Sequence, residues 1–182
     1  MNHQVLENDR AELIPLSLSH LDQLWAVAEE NPGLLEYSPS DITSKSKLKK
    51  YIEVALVERM AFMIIDKLNG EVAGCTSYGN ISLPNSRVEI GWTWIGRKFQ
   101  GTGLNGKVKQ LMLGHAFEKS GIERVEFKID ARNMKSRKAV EKLGATYEGC
   151  LRSHTVMRDG FRRDTVYYSI LKREWHTENE LL

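Results

Sequence analysis

The chain has 182 residues, 41% of them hydrophobic and 27% charged, with a formal net charge of +2 at neutral pH. That length suits one domain that buries a core without metals or disulfides, and so small a surplus of charge argues against nucleic acid or an anionic membrane as the main partner. There are two cysteines, Cys75 and Cys150, and no C-x-x-C pair, no apolar run near the ~18 residues of a membrane helix, and no signal-peptide core in Met1 to Arg10, so a reduced, cytoplasmic protein is expected.

Ala11 to Leu18 reads as a first strand, interrupted by Pro15, which suits an edge or a bulge. His20 to Glu30 is a short helix with Leu21, Leu24, Trp25 and Ala28 on one face and Ser19 as its N-cap. Asn31 to Asp41, broken by prolines and a glycine, is a loop or broken helix whose Leu34, Leu35 and Tyr37 either line a pocket or pack back on the core. A second helix runs from about Ser44 to Arg59, with Leu48, Ile52, Ala55 and Leu56 inward. Ala61 to Leu68 and Glu71 to Asn80 are strands joined by Asn69-Gly70, a strong hairpin signal. A turn at Leu83 to Ser86 leads into Arg87 to Trp94, where Val88, Ile90, Trp92 and Trp94 point one way and Arg87, Glu89, Gly91 and Thr93 the other.

Next comes Gln100-Gly101-Thr102-Gly103-Leu104-Asn105-Gly106, followed by a helix carrying Val108, Leu111, Met112, His115 and Ala116 up to Gly121. Strand, glycine loop and helix in this order bring backbone N–H groups and the positive end of a helix dipole onto an anion. Three patterns overlap here. Gly101, Gly103 and Gly106 spell the G-x-G-x-x-G of dinucleotide folds; Gly101 to Lys107 spell a Walker loop, but Val108 stands where Mg²⁺ needs Ser or Thr; Gln100 and Gly103 fit [Q/R]-x-x-G-x-[G/A], the pyrophosphate loop of acetyltransferases that use coenzyme A.

The rest of the chain bears on that choice. Arg124 to Ala131 alternates as a strand parallel to the Val88 strand; Asn133 to Leu143 is a helix capped by Asn133 and stopped at Gly144; Thr146 to Met157 and Phe161 to Leu171 form a hairpin about Asp159-Gly160. From about His176 the tail is polar and expected to fray. The expected fold is α/β (α+β): a mixed, mostly antiparallel sheet of about seven strands, one parallel βαβ crossover and helices on both faces. A dinucleotide fold instead needs repeated βαβ units with its glycine loop directly after the first strand, although Asp130 would supply its acid. Two basic groups, Arg97, Lys98, Lys107 and Lys109, then Arg132, Lys135, Arg137, Lys138 and Lys142, suit a ligand with several phosphates or are simply solvated helix faces.

The loop Gln100 to Asn105, the segment Asn133-Met-Lys-Ser-Arg-Lys-Ala-Val-Glu-Lys-Leu-Gly-Ala145 and Tyr147-Glu-Gly-Cys-Leu-Arg152 together resemble the GNAT superfamily of N-acetyltransferases. More narrowly they resemble its RimJ/RimL branch, whose namesakes acetylate N-terminal amino groups of ribosomal proteins, and the likeness runs from about Ala11 to Trp175. Asn105 departs from the pattern, where a small residue is expected. The resemblance implies the acetyl-CoA N-acyltransferase fold, with acetyl-CoA in a V-shaped cleft where the Val88 and Val125 strands part. Its pantetheine would pair near Trp94 and Ile95, and its pyrophosphate would lie beside Gln100 on N–H groups of Gly101, Thr102, Gly103, Leu104, Asn105 and Gly106. Asn133 would reach the pantetheine, and Arg137 or Lys138 the nucleotide end; Asn133 is equally a plain helix cap.

Acetyl transfer to an amine sets its own demands. The amine must lose a proton to attack, and Glu89 stands at the superfamily's catalytic glutamate position, unless it is a solvated strand carboxylate. An N–H donor, from Ile95, is wanted for the thioester oxygen. Ser136 matches a serine suited to the leaving thiolate, though a serine in a first helical turn is commonplace. His154 and Tyr167 either face the acceptor or serve structure, His115 is a core histidine, and no metal is expected. The expected function is acetyl transfer to a primary amine, of a peptide N-terminus or a small molecule, by direct attack in a ternary complex. The alternatives are an acyl-CoA-binding or protein-interaction module on the same fold, or a dinucleotide-binding protein; monomer and homodimer are both open.

Overall fold

The computed structural model describes residues 2–175; the tail expected to fray lies outside them. Its strands are β1 (Leu6–Glu7), β2 (Ala11–Pro15), β3 (Met60–Asp66), β4 (Glu71–Ser82), β5 (Arg87–Ile95), β6 (Arg124–Asp130), β7 (Thr146–Val156) and β8 (Arg162–Leu171). Its helices are α1 (Leu21–Glu29), α2 (Lys45–Glu58), α3 (Leu104–Gly114) and α4 (Met134–Glu141). The strands form one sheet in the order β1-β2-β3-β4-β5-β6-β8-β7, antiparallel except for β5 and β6. The strand beyond the expected seven is β1, whose two residues are too few to show alternation.

Local chemistry explains most boundaries. Ser44 caps α2 by accepting the Lys47 N–H at 3.3 Å. The expected cap of α1, Ser19, instead sits within a 3₁₀ turn, Leu18–His20, headed by Ser17, whose N–H donates to His20 Nδ1 at 3.3 Å. Pro15 ends β2 beyond the reach of β1, so its missing N–H costs no ladder bond on that side. At the Asp159-Gly160 hairpin, Gly160 takes φ +82° and Met157 N–H donates to Phe161 C=O at 2.8 Å, closing a three-residue loop. The loop at Asn69-Gly70 is longer than two residues, since β3 stops at Asp66.

The sheet carries a core on each face. Val88, Ile90, Ile95, Val125 and Phe127 meet Leu104, Val108 and Met112 of α3 and Val140 of α4. Ala61, Met63, Cys75 and Trp94 meet Leu24 and Ala28 of α1 and Leu48, Ile52 and Ala55 of α2. The expected alternation of β5 therefore fails beyond Ile90: Trp94 lies on the face opposite Val88. The cause is a bulge, with Trp92 at φ +51° and a register shift between Cys75 and Ser77 on β4. The Trp92 ring covers Gly79, where an added Cβ would stand 2.4 Å from it. Among the described residues no helix is long and apolar enough to cross a membrane.

Candidate active site

Strands β5 and β6 pair through only Arg87/Arg124, Val88/Val125 and Glu89/Glu126. Beyond Glu89 they part, while β5 stays paired to β4 and β6 to β8, so a cleft opens within the sheet. On its β5 wall, Gly96 N–H bonds Ala73 C=O at 2.9 Å. The alternation of an antiparallel ladder then turns the peptide groups of Ile95 away from β4 and toward the cleft. The Ile95 carbonyl accepts Gln100 Nε2 at 2.7 Å, and Gln100 Oε1 in turn accepts Lys135 Nζ from the first turn of α4.

The glycine loop closes one end of this cleft. Gly101 and Gly103 have φ +81° and +86°, and Gly103 directly precedes α3. An added Cβ at Gly101, Gly103 or Gly106 would meet nothing within 4 Å. Thr102 Oγ1 donates to Phe99 C=O at 2.8 Å and pins the loop. The helical ladder opens with Lys107 N–H on Gly103 C=O at 3.2 Å, so the first-turn N–H groups ahead of it have no carbonyl of their own helix to meet. Asn105 Oδ1 is buried with no hydrogen-bond partner among the described residues.

The first basic group of the sequence is not a cluster in space. Lys98 pairs with Glu71 at 2.8 Å, Lys107 lies 3.9 Å from Asp9, and Lys109 is buried. In the second group Arg132 pairs with Asp130 at 2.7 Å. Arg137 turns inward, donating to Tyr168 Oη and to Ala131 C=O at 3.1 Å each. Lys135, Lys138 and Lys142 remain exposed on α4. Asn133 caps α4 through Oδ1, which accepts Ser136 N–H at 3.1 Å; the Ser136 hydroxyl has no partner among the described residues.

Glu89 is not a solvated strand carboxylate. It is 5% exposed, and its Oε2 accepts Asn80 Nδ2 at 2.6 Å and Lys128 Nζ at 2.9 Å. Burial alone would lower the Lys128 pKa; the Glu89 carboxylate more than offsets it and holds the ammonium above its ordinary value. Lys128 Nζ also lies 5.4 Å from the Tyr167 ring, and His154 Nδ1 lies 3.1 Å from Thr165 Oγ1. The loop after α1 is tied to the β7–β8 hairpin: Arg163 Nη1 donates to Tyr37 C=O at 2.7 Å, and Arg158 pairs with Asp41 at 3.2 Å. A cavity of about 290 Å³ beside this tie is lined by Trp25, Leu34, Leu35 and Ile42. His115 is the buried core histidine its position suggested, its pKa lowered by burial.

Sequence reasoning passed over Asn80, Lys128 and the burial of Lys109. The usable signal for Lys109 was its place between Val108 and Met112, with threonines on two facing strands.

The chain matches a family profile described as Acetyltransferase (GNAT) domain over residues 10–146. It is 32% identical over 168 residues to a protein of Bacillus subtilis (strain 168) named "Putative ribosomal N-acetyltransferase YdaF", covering 92% of this chain and 87% of that one. A solved GCN5-related N-acetyltransferase from Brucella melitensis superposes with a TM-score of 0.87 at 27% identity, over 96% of this chain and 81% of that one. RimL, a ribosomal L7/L12 alpha-N-protein acetyltransferase solved with coenzyme A, shares the fold at a TM-score of 0.81 and 22% identity, over 94% and 99% of the two chains. With the profile spanning most of its length and its central sheet parting beside the glycine loop, the chain belongs to the GNAT superfamily and is an N-acetyltransferase.

Proposed function

We propose that this enzyme moves the acetyl group of acetyl-CoA onto the free α-amine of a peptide or protein by direct attack in a ternary complex. The observation that carries the reading is the three-residue β5–β6 pairing, which leaves one cleft with an anion-binding loop at one end and a polar, carboxylate-bearing face beside it. The first-turn N–H groups and the open Cβ positions of Gly101, Gly103 and Gly106 fit a diphosphate. The orphaned Asn105 Oδ1 fits an amide N–H of the pantetheine arm, and the amide NH₂ of Asn133, whose Oδ1 caps α4, fits one of its carbonyls. Lys138, rather than the inward Arg137, suits the nucleotide end.

In this reading Glu89, its Oε2 held by Asn80 and Lys128, draws the proton from the incoming ammonium directly or through water. The freed lone pair forms the N–C bond at the thioester carbonyl, and the oxyanion is met by the Ile95 N–H. Collapse breaks the C–S bond, the nitrogen gives up its second proton as the amide forms, and that proton reaches the departing thiolate through the Ser136 hydroxyl, releasing CoA as the free thiol. The acceptor class rests on what the names of YdaF and RimL say of those proteins, together with the loop tied to the β7–β8 hairpin, which offers backbone and side-chain partners to an extended peptide.

The test uses the full chain with acetyl-CoA and short peptides, following free thiol and locating the acetyl group by mass spectrometry. Thiol release with modification of the α-amine, and none with an N-terminally blocked peptide, is the expected result. Acetylation confined to lysine side chains or to small amines would overturn the acceptor class, and no thiol release with any amine would overturn the activity.

A further inference from the structure

Lys109, in the second turn of α3, is only 5% exposed and has no carboxylate partner among the described residues. Its ammonium donates to Thr93 Oγ1 of β5 at 2.6 Å and, more weakly, to Thr76 Oγ1 of β4 at 3.3 Å. The two hydroxyls lie 2.8 Å apart, and Thr93 Oγ1 donates to Gly91 C=O at 3.3 Å. These contacts surround the bulge at Trp92, where a tryptophan is held at φ +51°, a strained conformation that persists only when its surroundings hold it. Asn105 lies one turn earlier on the same face of α3. One helix face thus runs from the glycine loop to the bulged edge of the cleft.

An unpaired buried ammonium works against folding. Burial pushes the Lys109 pKa down to about 7, and among the described residues no charged group pairs with it: its partners are Thr76 from β4, which also touches Met112 of α3, and Thr93 from β5. A methionine would fill the same space at no such cost, so a stability role does not explain a lysine here.

We propose that Lys109 is a positioning residue for acetyl transfer: anchored in the helix that follows the anion-binding loop, it clamps Thr93 and Thr76 and thereby sets the bulged edge of β5 against which the thioester lies. This rests on the acetyl-transfer reading above. It adds a specific link, from the diphosphate end of the cleft to the reacting end, through one side chain.

The test compares wild type with Lys109→Met, Thr93→Val, Thr93→Ser and the double variant K109M/T93V. Lys109→Met is expected to lower kcat by about 10- to 100-fold, the loss of one positioning contact, while the calorimetric Kd for acetyl-CoA stays within about threefold. Thr93→Val should match it, Thr93→Ser should keep most of the rate, and the double variant should be no slower than either single, since the two residues act as one unit. Stability should move the opposite way. The folded pKa lies below the unfolded one, so below about pH 7 the ammonium is charged in both states and its full penalty applies. Between about 7 and 10.5 the unfolded chain binds the extra proton, and wild-type stability rises with pH. Lys109→Met should therefore have the higher Tm at pH 6 to 7, by roughly 2–8 °C, with the gap closing toward pH 10. A Lys109→Met variant with full kcat, one with a lower Tm at neutral pH, or additive losses in the double variant would overturn the proposal. An inactive wild type would instead strike the acetyl-transfer reading and this one together.

Discussion

Glu89 and Lys128 form a partly buried pair whose carboxylate holds a cation and, in the proposed reading, also takes up a proton. The pair is 2.9 Å apart with side-chain exposures of 7% and 21%, so removing one partner leaves a partly buried charge behind. Glu89→Gln is expected to lower kcat by about 10²- to 10⁴-fold, keep acetyl-CoA affinity, and cost up to about 3 kcal/mol of stability. Adding Lys128→Met should restore most of the Tm and none of the rate, which separates proton transfer from simple support. Denaturation and steady-state kinetics on wild type and the two variants check this; recovery of the rate in the double variant would remove Glu89 from the chemistry.

Within the elements, α3 and its loop divide glycines that the backbone needs from one that it does not. Gly101 and Gly103 occupy left-handed conformations, whereas Gly106 lies inside the helix with an ordinary backbone and open space around its missing Cβ. Gly106→Ala should thus stabilise the helix by up to about 1 kcal/mol yet weaken acetyl-CoA binding by crowding the diphosphate. Thermal unfolding and calorimetry on one variant test both halves; unaltered affinity would mean that the ligand passes elsewhere. The same elements show what the sequence made legible. Hairpin turns, the Asn133 cap and the loop-helix junction were readable because each rests on local chemistry, whereas the cap expected at Ser19 gave way to a 3₁₀ turn headed by Ser17. The bulge was not: it depends on Trp92 finding Gly79 beneath it and Arg59 4.9 Å above it, contacts made across strands. Lys109 misled for the same reason, since a lysine between basic neighbours reads as solvated until α3 is laid on Thr76 and Thr93. Of the candidate site, Gln100, Ile95 and Asn133 lie along the cleft, while Arg137 was drawn inward by Tyr168 on β8, a partner 31 residues away.

For the molecule as a whole, the short β5–β6 pairing has a mechanical meaning. Along the sheet, β1 to β5 are one antiparallel meander, and β6, β8 and β7 are a second antiparallel group in which β8 lies between the other two; the ladder between them has three residue pairs. That join is short beside the six pairs of β4 with β5 and the seven of β6 with β8, and it is bridged by Arg87 on Glu126 at one end and by Gln100 with Lys135 at the other. A donor molecule lying in the gap would supply the missing rungs and staple the two halves of the sheet together. Hydrogen exchange should therefore slow on acetyl-CoA binding along both β5 and β6, well beyond the glycine loop, whereas protection confined to residues 100–106 would mean that the ligand rests on the rim alone. On the proposed reading, the enzyme keeps part of its own sheet unbuilt, and each catalytic cycle would complete and reopen it.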